Sequence, residues 1–418
     1  MMESSEPPRL LQPLEILPID TSFTAQRYLV NTVDGRKFEV SRTIFELIML
    51  IDGSRQVSSI ASEFTRITRK EISAGDIERV IGEVLIPGGM VVGANRILSI
   101  KSPSSYLHLR FTLFTQEMIR PLTCGLHFLF YPRILIPGLS ACLAFAAYFY
   151  LFATVPGFEI AAIGMENLLA IYGIYLLSTL IHELGHSAAC YHFGARPGHI
   201  GFGLYLYFPV FYTDVSDVWK LKRTERAAVD IGGIYFQLLM LPMLYCLYLA
   251  YDNTVFLYAI YLLTFSCLTA LNPLFRFDGY WLVSDLAGIP NLRKRSWHVL
   301  KDVVERFSGT SKDARSRVPR LSVRMMYFLY IYAAVSNMFF LFFIYELGTN
   351  LPAIFHEYPT NLSVLLNVVC CLDFSELGRP LADLCFPTMV LIMLVTMSLR
   401  VGKRVMKCLN SGSRCREE

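Results

Sequence analysis

Apolar and polar positions follow three different patterns along this chain, and each predicts a different kind of element. From about Ile19 to Ile100 the apolar residues are sparse and periodic. Val33-Asp34-Gly35-Arg36 lies between two short strand-like runs within Arg27 to Val40, which predicts a hairpin. Ser41 then stands where a helix N-cap belongs, ahead of an apolar stripe of Ile44, Leu47, Ile48 and Ile51, and Gly53 stops that helix. A second helix over Val57 to Ile67 carries Ile60, Ala61 and Phe64 on one side. A third, from near Ser73, carries Ile77, Val80, Ile81 and Val84 as far as Pro87-Gly88-Gly89, and Met90 to Ile100 returns as an extended segment. Such a unit is long enough for a small core of its own.

The second pattern, Tyr106 to Pro132, mixes apolar and aromatic residues with Arg110 and Arg120. It suits a segment lying on a membrane surface, or equally one packed against the helices that follow. The third pattern is a series of long apolar runs. About twenty apolar residues cross a bilayer core, and spans are expected at Ile134 to Val155, Leu168 to Ala189, Ala227 to Ala250, Val255 to Leu271, Met325 to Leu347 and Leu381 to Leu399. The last is short and holds Pro387. Leu362 to Leu372 is too short to cross and reads as re-entrant or external. The expected fold is mainly α: a polytopic helical membrane protein with about six transmembrane helices, plus a small α+β, winged-helix-like N-terminal domain. The division is 19–100 for that domain, 101–133 for an amphipathic linker, 134–402 for the membrane domain and 403–418 for a tail.

Composition sharpens this picture. Hydrophobic residues make up 54% of the chain and charged residues 17%, below the quarter or so of ordinary soluble domains. The net charge of +4 is too small to argue for nucleic acid; the partner implied is the lipid bilayer. The distribution of basic residues is more telling. No Lys or Arg falls in 156–167 or 251–254, and only Arg379 in 348–380. The other connections hold Arg196, Lys220, Lys222, Arg223 and Arg226, then a basic series from Arg276 to Arg324, and the tail adds Lys403, Arg404, Lys407, Arg414 and Arg416. Basic loops stay in the cytoplasm. This predicts a multi-pass protein of the cell membrane with both termini cytoplasmic. The ten cysteines lack a metal-type spacing and read as buried or free thiols. The first residues, with Glu3, Glu6, Pro7, Pro8 and Pro13, do not read as a secretory signal.

Chemistry concentrates at the end of the second expected span, His182-Glu183-Leu184-Gly185-His186. Residues four apart share a helix face, so both imidazoles can reach one metal ion, with Glu183 beside it to act on water. Two His and a Glu within an apolar span are costly and call for a function. A catalytic zinc takes three protein ligands and leaves one position open. His192 lies ten residues beyond His182, but Ala189 stands where a chain-turning Gly would be needed, and on a continuous helix His192 falls about 9 Å past His186. Asp278 is the better third ligand. Pro273 interrupts the end of the fourth span, and the second and fourth spans run in the same direction, which brings both segments toward the cytoplasmic face. The alternative for Asp278 is a helix cap. Asn272 is a further candidate, to hydrogen-bond substrate backbone. Gly232-Gly233 suits close helix packing or a substrate contact. Tyr205, Tyr207, Phe208 and Phe211, with Gly201 and Gly203, suit a substrate-pairing loop or an aromatic interface belt.

At these residues the chain resembles the site-2 protease group of intramembrane metalloproteases. His182-Glu183-x-x-His186 matches their metal motif, and Asn272-Pro273 followed by Asp278-Gly279 matches their second motif. Tyr212 to Trp219 and Asn272-Pro273-Leu274 leading to Asp278-Gly279-Tyr280 look like the peptide zinc metalloprotease branch of that group. The resemblance implies a zinc peptidase with Zn2+ on His182, His186 and Asp278 and with Glu183 as catalytic base, acting on a peptide or membrane-protein substrate. No second proline lies between Pro273 and Asp278, where many of that group have one. The N-terminal unit is similar to PqqD-like domains, through Asp34-Gly35, the helix ending in Asp52-Gly53 and the Val57-to-Phe64 helix. That likeness implies recognition of the leader of a ribosomally made, modified peptide by strand addition; a packing module without a ligand is the alternative. The overall expectation is a zinc-dependent intramembrane endopeptidase. The rivals are a membrane metal hydrolase with a lipid or small-molecule substrate, and a non-catalytic export or immunity component that binds a modified peptide. The sequence does not indicate the oligomeric state.

Overall fold

The computed structural model describes residues 7–33, 35–92, 107–153, 164–205, 208–308 and 321–371, with scattered residues of 384–399. The fold is mainly α-helical, with two three-stranded sheets. It divides into two compact units. The first is Met1–Ser105, Ser216–Ala228 and Tyr280–Val335; the second is Tyr106–Val215, Val229–Gly279 and Ser336–Glu418.

In the first unit, β2 (Arg27–Asn31) and β3 (Lys37–Ser41) form the expected hairpin, closed by Gly35 at φ +76°. Asp34 lies outside the described residues. The sequence pattern does not announce β1 (Glu15–Ile19), which pairs antiparallel with β2 and makes β2 the central strand. Pro18 suits such an edge position. Ser41 caps α1 (Arg42–Leu50) by accepting from the Ile44 N–H at 3.3 Å. Next come α2 (Val57–Thr68) and α3 (Ala74–Val80). A capping box opens α3: the Ser73 hydroxyl takes the Asp76 N–H and the Asp76 carboxylate takes the Ser73 N–H.

Leu47, Ile48, Ile51, Ile60, Phe64, Ile77 and Ile81 form a single core. Val84 departs from its expected place on that face. It is 50% exposed, and Leu85 is buried instead. The cause is a π-helical turn over Ile81–Leu85, whose wider winding shifts the buried stripe by one residue. The expected extended return holds only at Met90 and Val91, where Val91 bridges to Leu10; 93–100 lie outside the described residues.

Two further segments complete this unit: the first turns of α7 (Arg223–Tyr251), and α9 (Asp278–Ala287) from Tyr280 on with α10 (Leu292–Phe307). Their charges are matched. The Arg226 guanidinium, 1% exposed, donates to Asp285 Oδ1 at 2.8 Å and to the carbonyls of Leu221 and Asp20, and lies over the Trp219 ring. Arg295 donates to both carboxylate oxygens of Glu39 at 2.9 Å.

Among the described residues four helices are long and apolar enough to cross a membrane: α5 (Pro132–Phe152) and α6 (Met165–His192) of the second unit, and α7 and the Val323–Ala353 part of α11 (Val323–Cys370), which begin in the first unit and continue in the second. The expected fourth span is α8 (Val255–Ala270), a 16-residue apolar helix. At 1.5 Å per residue it is about 24 Å long, short of a hydrocarbon core of about 30 Å. Most of the expected sixth span, 381–399, lies outside the described residues. The segment 362–370 is not separate: α11 runs through Pro352 and Pro359 without a break, since each proline removes only one helical hydrogen bond.

Of the two expectations for the Tyr106-to-Pro132 stretch, the structure shows packing against the helix that follows, α6, together with a strand pairing that the pattern did not predict. The stretch contains a strand, β4 (Leu107–Phe114), and a helix, α4 (Gln116–Leu126). β4 pairs antiparallel with β5 (Ile200–Tyr205), which pairs with β6 (Phe208–Thr213). The core of the second unit is formed by Cys142 and Phe149 of α5, Ile234, Leu238, Leu241 and Leu244 of α7, and Leu257, Ile260, Leu263 and Cys267 of α8.

Candidate metal centre

Three elements bring polar groups to one point inside this apolar unit. The first is α6. Its helical spacing stacks His182 over His186, with the rings edge to face at 4.7 Å and the two Nε2 atoms 3.0 Å apart. Both residues are buried.

The second element is the turn that follows α8. Asn272 Oδ1 accepts from the Leu274 N–H at 2.8 Å, a local turn that redirects the chain at Pro273. Phe275 packs against Phe339, Phe340 and Phe343, with ring centroids 5.6 to 6.0 Å away. The start of α9 then folds back on the end of α8 so closely that a Cβ at Gly279 would stand 2.0 Å from the Leu271 carbonyl oxygen. This return delivers Asp278, whose Oδ2 lies 2.8 Å from His182 Nε2 and whose Oδ1 lies 3.5 Å from His186 Nε2.

The third element is α7, which backs the site. A Cβ at Gly185 would stand 2.3 Å from the Gly232 carbonyl oxygen, so α6 and α7 meet backbone to backbone there. One residue further, a Cβ at Gly233 would lie 2.4 Å from His182 Nε2 and 2.6 Å from His186 Nε2. The absent side chain is therefore the space in front of the donor atoms. Gly232 does the packing and Gly233 makes room for the site. The outer nitrogens of both rings are engaged as well: His186 Nδ1 with the Val229 carbonyl at 2.8 Å, and His182 Nδ1 with Gln237 Oε1 at 3.0 Å.

These residues fit a divalent metal. The donor atoms of His182, His186 and Asp278 lie within 4.8 Å of one another. Donors about 2.0 Å from a tetrahedral zinc stand about 3.3 Å apart, and the separations here are 3.0, 2.8 and 3.5 Å. Two imidazoles and a carboxylate also make a common zinc donor set. One cation at that point could accept a lone pair from each of the three.

Glu183 is half-buried beside His182. Its carbonyl accepts from the Thr213 hydroxyl at 2.9 Å, which pins the end of β6 to this turn of α6. Among the described residues its carboxylate makes no hydrogen bond. His192 lies apart from the cluster, edge-on to Tyr131 at 4.8 Å and beside His127. Asn272 spends its side-chain oxygen on the turn. Tyr205, Phe208 and Phe211 belong to the β5–β6 hairpin, and Tyr207 lies outside the described residues. Gln237, Val229 and Thr213 were not legible as parts of a site, although a Gln within an apolar span was a signal.

No protein-family model matches the chain, and no solved structure matches it. Over 135 residues it is 26% identical to a Bacillus subtilis (strain 168) protein named "Putative peptide zinc metalloprotease protein YydH". The match covers 32% of this chain and 54% of that protein, so the chain spans about half the length of the curated relative it matches.

Proposed function

We propose that this chain is a zinc-dependent endopeptidase that hydrolyses a peptide bond near the cytoplasmic face of the membrane. The convergence of His182, His186 and Asp278 on one point, with the Glu183 carboxylate, unbonded among the described residues, next to it, carries the proposal. The name of the Bacillus relative supports the same chemistry.

His182 Nε2, His186 Nε2 and an Asp278 oxygen would hold the ion. Zinc, when bound, supplies Lewis acidity that activates water and draws charge from a carbonyl oxygen. Glu183 takes the proton of the attacking water on its carboxylate and returns it to the leaving amine nitrogen. The burial of both imidazoles among apolar helices would strengthen each electrostatic contact. β6 is the last strand of its sheet among the described residues, and it ends at the Glu183 turn. A substrate segment paired along β6 would be extended and led to the carboxylate. The Asn272 amide nitrogen, unbonded among the described residues, would donate to a substrate carbonyl.

The basic loops support a cytoplasmic position for both termini. The PqqD-like pattern and the three-stranded sheet of the first unit support a ribosomally made, modified peptide as substrate.

The test is cleavage of a candidate peptide by purified protein, with and without a chelator, beside Glu183→Gln. Cleavage should stop with the chelator and with the variant, while the variant keeps its zinc. Undiminished cleavage by Glu183→Gln would refute the assignment of the base. Binding of a modified peptide without cleavage, with zinc bound, would favour an export or immunity role instead.

A further inference from the structure

Gln237 sits inside α7, 1% exposed, and the proposed reaction gives it no part. We propose that Gln237 is a positioning residue that holds His182 in the one tautomer able to bind a cation. The proposal rests on reading His182, His186 and Asp278 as the metal centre.

A histidine offers Nε2 as a lone pair only when its proton sits on Nδ1. For His186 the backbone decides. A carbonyl can only accept, so Nδ1 opposite Val229 must carry the hydrogen. For His182 the partner is a primary amide, which can present either oxygen or NH2.

The choice is made two groups away. The Ser178 hydroxyl donates its single hydrogen to the Tyr175 carbonyl at 2.8 Å, so Ser178 Oγ can only accept from its other neighbour. That neighbour is Gln237 Nε2, 3.4 Å away, which donates. On the other side the Cys267 thiol donates to Gln237 Oε1 at 3.6 Å. With NH2 turned to Ser178 and oxygen turned to Cys267, the amide presents oxygen to His182 Nδ1 at 3.0 Å. His182 therefore carries its hydrogen on Nδ1, and its Nε2 lone pair faces Asp278 and His186.

The flipped amide would set an oxygen against the Ser178 lone pairs. It would also force the His182 proton onto Nε2, where the cation belongs. A chain of donors that starts at one main-chain carbonyl thus fixes which nitrogen of His182 faces the site.

The test is zinc affinity of the purified full chain, measured by competition with a chromophoric chelator. Gln237→Met keeps the length and removes the acceptor; zinc should bind about 10- to 100-fold more weakly. Gln237→Glu combined with Ser178→Ala keeps an acceptor oxygen toward Nδ1 and removes the lone pairs that a second oxygen would face, and its affinity should stay within about threefold of the parent. A residue that merely glues helices would weaken both variants alike, and that result overturns the proposal. So does parental affinity in Gln237→Met. Should Gln237→Met fail to fold, Ser178→Ala combined with Cys267→Ala frees the amide to flip, and unchanged affinity there overturns the proposal too. A parent chain that takes up no zinc refutes the metal centre itself, a different failure from these.

Discussion

The two units of this molecule both bury charge, and they do it in opposite ways. In the first, Arg226 is closed: every side of its guanidinium meets an acceptor or a ring, and Asp285 balances its charge. Arg295 is held the same way by Glu39 beneath the Phe23 ring; burial pushes its pKa below the ordinary value, and Glu39 opposes that fall. In the second, the outer nitrogens of His182 and His186 are satisfied, while their inner nitrogens and the Asp278 carboxylate face each other across a gap that Gly233 keeps clear. A closed cluster holds a fold together. An open one gathers donor atoms of three residues at one point. Burial alone therefore does not mark a candidate site; what marks it is metal-type donor atoms of three residues converging on one point.

This contrast can be broken from either side. The largest effect is expected at the open cluster: Asp278→Ala should take zinc from about one ion per chain to near none and abolish cleavage, as read by elemental analysis and a peptide assay. Gly233→Ala should come next. Its methyl would occupy the space before both Nε2 atoms, and zinc affinity should fall by about tenfold or more while the helical content by circular dichroism stays unchanged. The closed cluster should respond in stability only. Arg226→Met removes the buried counter-charge of Asp285 and should cost about 3–5 kcal/mol in denaturant unfolding; adding Asp285→Leu should recover most of it. A loss of zinc in Arg226→Met with stability unchanged would undo the contrast. Smallest is Ser73→Ala, which removes one arm of the α3 capping box and should cost about 1 kcal/mol, with zinc content unaffected.

Legibility from sequence followed the range of the interactions. The helices α1, α2 and α3 repeat their apolar residues locally, so periodicity suffices to find them; α6 is found as a long apolar run; and the caps at Ser41 and Ser73 mark the starts of α1 and α3. The shared face of His182 and His186 needs only helical spacing. Asp278 needed topology as well, since its approach to α6 depends on the return after Pro273. β1 and β4 were not legible. A strand is stabilised by its ladder partner, and the partner of β4 is β5, far along the chain. The one-residue shift at Val84 was hidden because a π turn has the composition of the α-helix that it interrupts. Gln237 reads as one polar residue in an apolar run until Ser178, Cys267 and His182 are seen around it.

The meeting of Gly185 with Gly232 sets a limit on how this protein can vary. Where helices are spaced by side chains, a change on one can be absorbed by a new rotamer on the other. Here main chain touches main chain, and nothing between them can adjust. One added carbon at either position would act as a wedge that tips the histidine-bearing turn away from its backing helix. The spacing is thus a gauge cut into the backbone itself, with no neighbouring residue able to reset it.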